Sequence, residues 1–214
     1  MTIADYFLFA FPGIFVILNP LGAASTFLSL TEGRTPDQQR NIAKRACLTS
    51  FFILLVFMLL GHLIFALFHI TIGAFRIAGG FLLYTVGWQM LQAYPVRLKQ
   101  TNEEMEEGMH KEDIAIVPLA IPLLAGPGAI TTVLVLISEA KHFWQVGMLI
   151  GCMLVALIAT YFILIHSIRL MGFLKVTGAR IMNRLLGLIL VVVAVQFVIN
   201  GVKDVVPEIV RLMK

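Results

Sequence analysis

Residues 143–168 read FWQVGMLIGCMLVALIATYFILIHSI, 26 positions without an Asp, Glu, Lys or Arg. A helix needs about 20 largely apolar residues to cross about 30 Å of hydrocarbon, so this stretch is long enough to span a bilayer. Five more apolar runs, at 6–30, 46–68, 74–94, 114–137 and 181–202, are separated by charged interruptions and predict a total of six membrane-spanning helices. Composition agrees, because 59% of the 214 residues are hydrophobic and only 13% charged, with a mean hydropathy of +0.94. That balance lies far from a soluble domain and leaves only short connectors, which excludes a large soluble catalytic domain. The expected fold class is an all-α integral membrane protein.

Charge sets the expected orientation. Of the 16 Lys and Arg residues, eleven fall in the odd-numbered connectors: Arg34, Arg40, Lys44 and Arg45, then Arg97, Lys99 and Lys111, then Arg169, Lys175, Arg180 and Arg184. The other five are Arg76, Lys141, Lys203, Arg211 and Lys214. The positive-inside rule therefore puts the odd-numbered connectors in the cytoplasm of a cell inner membrane, and both termini outside it. The formal charge of +4 marks those loops rather than a nucleic-acid surface, so no nucleic-acid partner is expected. Met1-Thr2-Ile3-Ala4-Asp5 lacks a basic segment and a cleavage site, so the first apolar run is expected to stay in the mature protein. Cys47 and Cys152 lie in separate apolar stretches and offer neither a disulfide framework nor a metal site, and no cofactor is expected.

The chain also repeats itself. A shift of 106 positions aligns Pro12 with Pro118, Leu18 with Leu124, Gly22 with Gly128, Ala23 with Ala129 and Thr26 with Thr132, with Ser25 facing Thr131. A shift of 107 pairs Gly80 with Gly187 and Gln89 with Gln196. Residues 1–94 and 114–214 then form two three-helix repeats, joined by a polar cytoplasmic linker at 95–113 that carries Glu103, Glu104, Glu106 and Glu107. Three spans per repeat is an odd number, so the second repeat enters the membrane from the opposite face, and the topology is inverted.

Spans one and four are interrupted at matching places. Asn19-Pro20-Leu21-Gly22-Ala23-Ala24-Ser25-Thr26 and Ala125-Gly126-Pro127-Gly128-Ala129-Ile130-Thr131-Thr132 lie near the midpoints of their runs. Proline lacks an N–H and obstructs the preceding turn, while glycine accepts irregular dihedrals, so both helices are expected to break. Such backbone survives at membrane depth only inside protein or beside a watered cavity. The half-helix that follows directs its N–H groups and positive dipole end toward that cavity, which suits a carboxylate. The hydroxyls of Ser25, Thr26, Thr131 and Thr132 fall in the first turn after each break, where they either cap the half-helix or hydrogen-bond a small polar ligand. Paired interruptions of this kind favour a substrate site formed by Asn19, Pro20, Gly22, Ser25, Thr26, Gly126, Pro127, Gly128, Thr131 and Thr132.

Other polar residues have two readings each. Arg76, near the start of span three, either meets a substrate carboxylate or snorkels to the outer interface. His62 and His166, in spans two and five, either relay coupling protons or hydrogen-bond between helices. Gln89 and Gln196 line a path or link helices, and Gly79-Gly80 permits close packing. GxSxG, HExxH and Walker A motifs are absent, which excludes a pump with its own ATPase domain, and no enzymatic activity is expected.

Asn19-Pro20-Leu21-Gly22, Phe75-Arg76-Ile77-Ala78-Gly79-Gly80, and Val117-Pro118-Leu119-Ala120-Ile121-Pro122 running into Ala125-Gly126-Pro127-Gly128 resemble the MarC family. Thr177-Gly178 and Arg184-Leu185-Leu186-Gly187 extend the resemblance over nearly the whole chain. It implies a six-span bacterial or archaeal inner-membrane protein, labelled either multiple antibiotic resistance protein or small neutral amino acid transporter. The expected function is secondary transport of a small polar solute, small neutral amino acids first, by alternating access with proton or sodium coupling. The alternative is a non-transporting membrane component that stabilises a partner. Membrane lipid and a small-molecule substrate are the expected partners, with homo-oligomerisation left open.

Overall fold

The computed structural model describes residues 3–92, 114–138, 140 and 142–212, and all the regular structure among them is helical. In chain order the elements are α1 (Ile3–Leu18), α2 (Pro20–Leu30), α3 (Pro36–Leu67), α4 (Ile72–Leu91), α5 (Ala115–Leu124), α6 (Pro127–Ser138), α7 (Phe143–Ile165) and α8 (Ser167–Leu212). The linker at 95–113, with Arg97, Lys99, Lys111 and its acidic run, lies outside the described residues, as do Lys141 and Lys214.

Helix starts follow local chemistry. Pro20, Pro36 and Pro127 open α2, α3 and α6, where a missing N–H costs nothing. Thr35 and Gln38 form a reciprocal capping box for α3: Thr35 N–H donates to Gln38 Oε1 at 3.0 Å, and Gln38 N–H donates to Thr35 Oγ1 at 3.4 Å. At α4, Thr71 Oγ1 accepts from the Ala74 N–H at 3.2 Å.

Among the described residues, four segments are long and apolar enough to cross a membrane: Asp5–Leu30, Pro36–Gly61, Phe143–Ile165 and Arg180–Pro207. A fifth arises if α5 and α6, bent by 54°, count as one broken span. α4 is 20 residues long but carries Arg76 and Gln89, and it is not among them. The expected helix ends also shift. α3 begins at Pro36, ahead of the run expected at 46, because the charged residues between are good helix formers. α8 takes in the whole basic connector after span five. Its 46 residues reach about 69 Å at 1.5 Å per residue, well beyond the thickness of a bilayer.

The most extensive helix pairing joins α4 to α8, and it rests on small residues. Gly73, Gly80 and Gly87 recur every seven residues on α4, as do Gly187, Ala194 and Gly201 on α8. They meet in reverse order, Gly73 against Gly201, Gly80 against Ala194 and Gly87 against Gly187, so the helices are antiparallel. A methyl group on Gly80 would lie 2.8 Å from the Ala194 carbonyl oxygen, and one on Gly201 would lie 2.7 Å from that of Gly73. The backbones themselves are in contact, as small residues allow where lipid removes the hydrophobic drive between helices. The seven-residue period keeps the small residues on one face along the length of the contact. A shift of 114 superposes all three pairs of seam positions, one heptad beyond the shift of 107 that the glutamines suggest. Arg76 Nη1 donates to Asp204 Oδ2 across the same pair of helices.

α1, α3, α4 and α7 all pack against α6. Tyr6 Oη donates to the Leu136 carbonyl at 3.2 Å, Ile17 lies beside Gly128, and Leu134 covers Gly61. The Tyr6 ring also meets Trp144 edge-on at 5.9 Å, tying α1 to α7. Large apolar side chains such as Phe81, Ile158, Phe162 and Val192 are exposed on the outside, the surface an all-helical membrane protein offers to lipid.

The seam makes a sharp stability prediction. Gly80→Leu overpacks it and is expected to cost about 1–3 kcal/mol, read as thermal unfolding in detergent. Gly147→Leu, at a position with nothing within 4 Å, should leave the transition in place.

Candidate functional site

The first break is a single residue wide. Asn19 adopts the left-handed region at φ 44°, ψ 62°, which asparagine tolerates better than most residues. Its Oδ1 accepts the Gly22 N–H at 3.2 Å, so the side chain caps α2. A Cβ at Gly22 would run into the Asn19 amide as it is placed here. Residues Asp5–Leu30 nevertheless run on as one 26-residue span, with the break near its centre.

The second break is wider than the Gly126-Pro127 motif implies. Pro118 and Pro122 lack N–H groups and push Val117 (φ −122°, ψ 120°) and Ile121 (φ −122°, ψ 124°) into extended backbone. The remaining amides reach back five residues, Leu119 N–H to Ile114 O at 3.4 Å and Ala125 N–H to Ala120 O at 2.8 Å. Irregular backbone thus begins nine residues ahead of Gly126. At Gly126 itself a Cβ would fall on the Pro122 carbonyl oxygen, so the chain can turn into α6 only with glycine there.

Three of the hydroxyls after the breaks, those of Ser25, Thr26 and Thr132, donate to carbonyls of their own helices. Ser25 Oγ donates to the Gly22 carbonyl at 2.8 Å and Thr26 Oγ1 to the same oxygen at 3.4 Å. Thr132 Oγ1 donates to the Gly128 carbonyl at 2.9 Å. Thr26 on Gly22 and Thr132 on Gly128 are the same i to i−4 bond at positions 106 residues apart. Each of these hydroxyls supplies its hydrogen to its own helix and keeps lone pairs for a donor. The Thr131 methyl packs on Gly79 of α4.

The two breaks come together. Gly128 rests against Ile17, two residues before Asn19, with Leu83 of α4 alongside. Thr131 and Thr132 are buried, Asn19 and Thr26 are partly buried, and Ser25 and Pro127 are exposed. Other expected site residues lie elsewhere. Arg76 lines a cavity of about 680 Å³ at one end of the bundle and is joined there to Asp204. His166 is the exposed residue between α7 and α8, just after the 23-residue α7, with its Nδ1 2.9 Å from the Phe162 carbonyl oxygen. His62 belongs to α3, and its side chain lies outside the described residues. Gln196 Nε2 donates to Asn200 Oδ1 at 2.8 Å within α8. Sequence reasoning missed Asp204, because it follows Lys203 in what reads as a polar tail.

An all-helical membrane protein whose interrupted helices meet inside the bundle is the class this geometry defines. The chain belongs to the MarC family of integral membrane proteins, whose family model matches residues 4–206. It is 38% identical to the UPF0056 membrane protein YvbG of Bacillus subtilis over 95% of this chain and 97% of that one. It is also 38% identical to the UPF0056 membrane protein MJ1677 of Methanocaldococcus jannaschii, covering 93% and 97% of the two chains. The UPF0056 membrane protein YhcE of Escherichia coli is 34% identical, covering 94% of each. No solved structure matches the chain.

The Asn19 cap can be separated from its backbone strain. Asn19→Gly keeps the left-handed turn and loses only the cap, an expected cost of a few tenths of a kcal/mol. Asn19→Ala loses the cap and strains the turn, for about 2 kcal/mol in total. Denaturation in detergent should rank them in that order, and equal losses would show that the turn itself carries no strain.

Proposed function

We propose that this protein is a secondary transporter of small polar solutes, small neutral amino acids first, working by alternating access across the inner membrane. The observation that carries the reading is the meeting of the two interrupted spans, with Gly128 against Ile17 and equivalent Thr-to-Gly bonds on both sides. Interrupted helices supply N–H groups at a positive dipole end and carbonyls released from regular bonding. A zwitterion uses both, its carboxylate taking the N–H groups and its ammonium the carbonyls. Six crossings in two inverted repeats, with both termini outside, complete the proposal: the bent α5–α6 pair counts as one span, and α4 crosses sheltered along one side by α8. Rocking of the repeats about the breaks would then expose the site alternately.

Proton coupling is proposed over sodium, with His62 as the intramembrane candidate; His166 at its helix end is the weaker one. The competing reading, a component that steadies a partner without transporting, draws on the packing of Ile17 and Leu83 over Gly128, which closes that break.

Proteoliposomes with the purified chain decide between them. Saturable uptake and counterflow of labelled glycine, alanine or serine, driven by an imposed proton gradient, is the expected result. Gradient dependence on sodium alone would replace the coupling ion, and flux no different from empty liposomes would favour the non-transporting reading. Asn19→Leu and Gly128→Leu are expected to abolish flux with membrane insertion intact, because the added bulk forces the two breaks apart; a Cβ at Gly128 already meets Ile17 at 2.9 Å.

A further inference from the structure

A cavity of about 370 Å³ opens between α3 and α7, and none of the break residues lines it. Cys47 and Leu157 form its buried floor, and the exposed side chains of Leu48, Leu154 and Ile158 form its banks. It is therefore a groove on the outside of the bundle, where acyl chains lie.

Contacts elsewhere fix which way the groove runs. Gly61, late in α3, lies under Leu134 of α6; the Leu136 carbonyl accepts from Tyr6; and Tyr6 meets Trp144 at the start of α7. The start of α7 thus sits at the end of α3, and the two helices are antiparallel. Lys44 and Tyr161 accordingly share one end of the groove, with Phe51 and Leu154 at the other. Seven residues of helix separate the ends, about 10 Å, which fits within one leaflet of about 15 Å. The Lys44 end is also where charge stops: α3 has no Asp, Glu, Lys or Arg after Arg45, and α7 is followed by none before Arg169. It therefore lies at headgroup level.

Two donors head this apolar channel. Lys44 is exposed and has no ion pair or hydrogen bond among the described residues, whereas Arg40, one turn earlier, is paired with Asp37 at 3.6 Å. Tyr161 is half-buried, edge-on to Phe162, and its hydroxyl has no partner among the described residues either. A lysine so placed lays its methylene stem on apolar surface and holds its ammonium at the interface, and a tyrosine does the same with its hydroxyl. A phosphodiester accepts from both groups. No acidic residue lines the groove, so a headgroup that adds a cation of its own meets Lys44 and no carboxylate, while an anionic headgroup avoids that repulsion. A second copy laid along the groove would bury Lys44 against apolar side chains with no carboxylate to receive it.

We propose that the groove is a binding site for an anionic glycerophospholipid, its phosphate held by Lys44 and Tyr161 and one acyl chain lying along Cys47, Leu48, Leu157 and Ile158. The leaflet is the one that faces the basic connectors. The lipid bridges α3 from the first half of the chain and α7 from the second, so membrane charge bears directly on how the halves pack. The site stands independently of the transport reading.

Native mass spectrometry of the full chain tests it. Protein delipidated in detergent is titrated with dioleoylphosphatidylglycerol or dioleoylphosphatidylcholine, and bound lipids are counted. The first phosphatidylglycerol should bind at concentrations at least about fivefold lower than the first phosphatidylcholine. Lys44→Gln should bring the two lipids level, while Arg40→Gln, which removes an exposed and already paired charge, should keep the preference. Leu48→Trp fills the groove and should abolish tight binding of the first lipid of either kind, and Phe52→Trp, exposed and outside the lining, should leave it intact. Equal affinities in the unaltered chain, equal losses in both charge variants, a preference that survives Lys44→Gln, or tight binding that survives Leu48→Trp overturns the site. A dimer that carries no lipid assigns the groove to a second copy and overturns it too. Ile158→Trp replaces Leu48→Trp if that variant does not fold, and the comparison of Lys44→Gln with Arg40→Gln decides the matter by itself.

Discussion

A peptide N–H or carbonyl facing hydrocarbon without a partner costs several kcal/mol, and that penalty organises this protein more than any side-chain preference does. It accounts for the helical structure throughout the described residues and for the care taken where helices stop. At Asn19 the side chain answers the amide that the turn leaves open, and at Val117–Pro122 five-residue hydrogen bonds replace those that proline cannot make. The hydroxyls of Ser25, Thr26 and Thr132 add donors to the Gly22 and Gly128 carbonyls. Both breaks also lie against other helices, with Ile17 and Leu83 over Gly128 and Gly79 against Thr131.

The α4–α8 seam determines who those neighbours are. Apolar burial gives helices little reason to associate in lipid, so contact has to come from shape, and the heptads of Gly73, Gly80, Gly87 and Gly187, Ala194, Gly201 bring backbone onto backbone. The register that aligns them places Gly79 and Leu83 beside α6, the half-helix that follows the second break. It also brings Asp204 to Arg76 at one end of the seam, joining residues 128 positions apart. One packing register therefore builds a wall of the break region and brings the Arg76–Asp204 pair together.

Much of the break geometry was legible in the motifs. Asn19-Pro20 and Gly126-Pro127 mark both interruptions, and the shift of 106 that aligns Thr26 with Thr132 reappears as the same hydroxyl-to-carbonyl bond. The extent of the second break was less legible. Pro118 and Pro122 are plain in the sequence, but proline is common in membrane helices, and only its neighbours' dihedrals reveal whether it kinks a helix or unwinds it. Helix lengths were misread for a different reason: hydropathy reports immersion in lipid, whereas the charged stretches at 36–45 and 169–180 continue α3 and α8, because Arg, Lys and Gln favour helix about as strongly as Leu does.

By itself the sequence determined that the chain belongs in a bilayer, that it is helical, and where the two interrupted helices break, because those properties depend on local composition and on whether each backbone group can find a partner nearby. Tertiary structure alone decided which small residues form a seam, that the two breaks touch, that the hydroxyls serve carbonyls rather than cap helices, and that Arg76 answers Asp204. Each of these depends on the rotation and register of one helix against another, which contacts distant in the chain settle and no local pattern encodes.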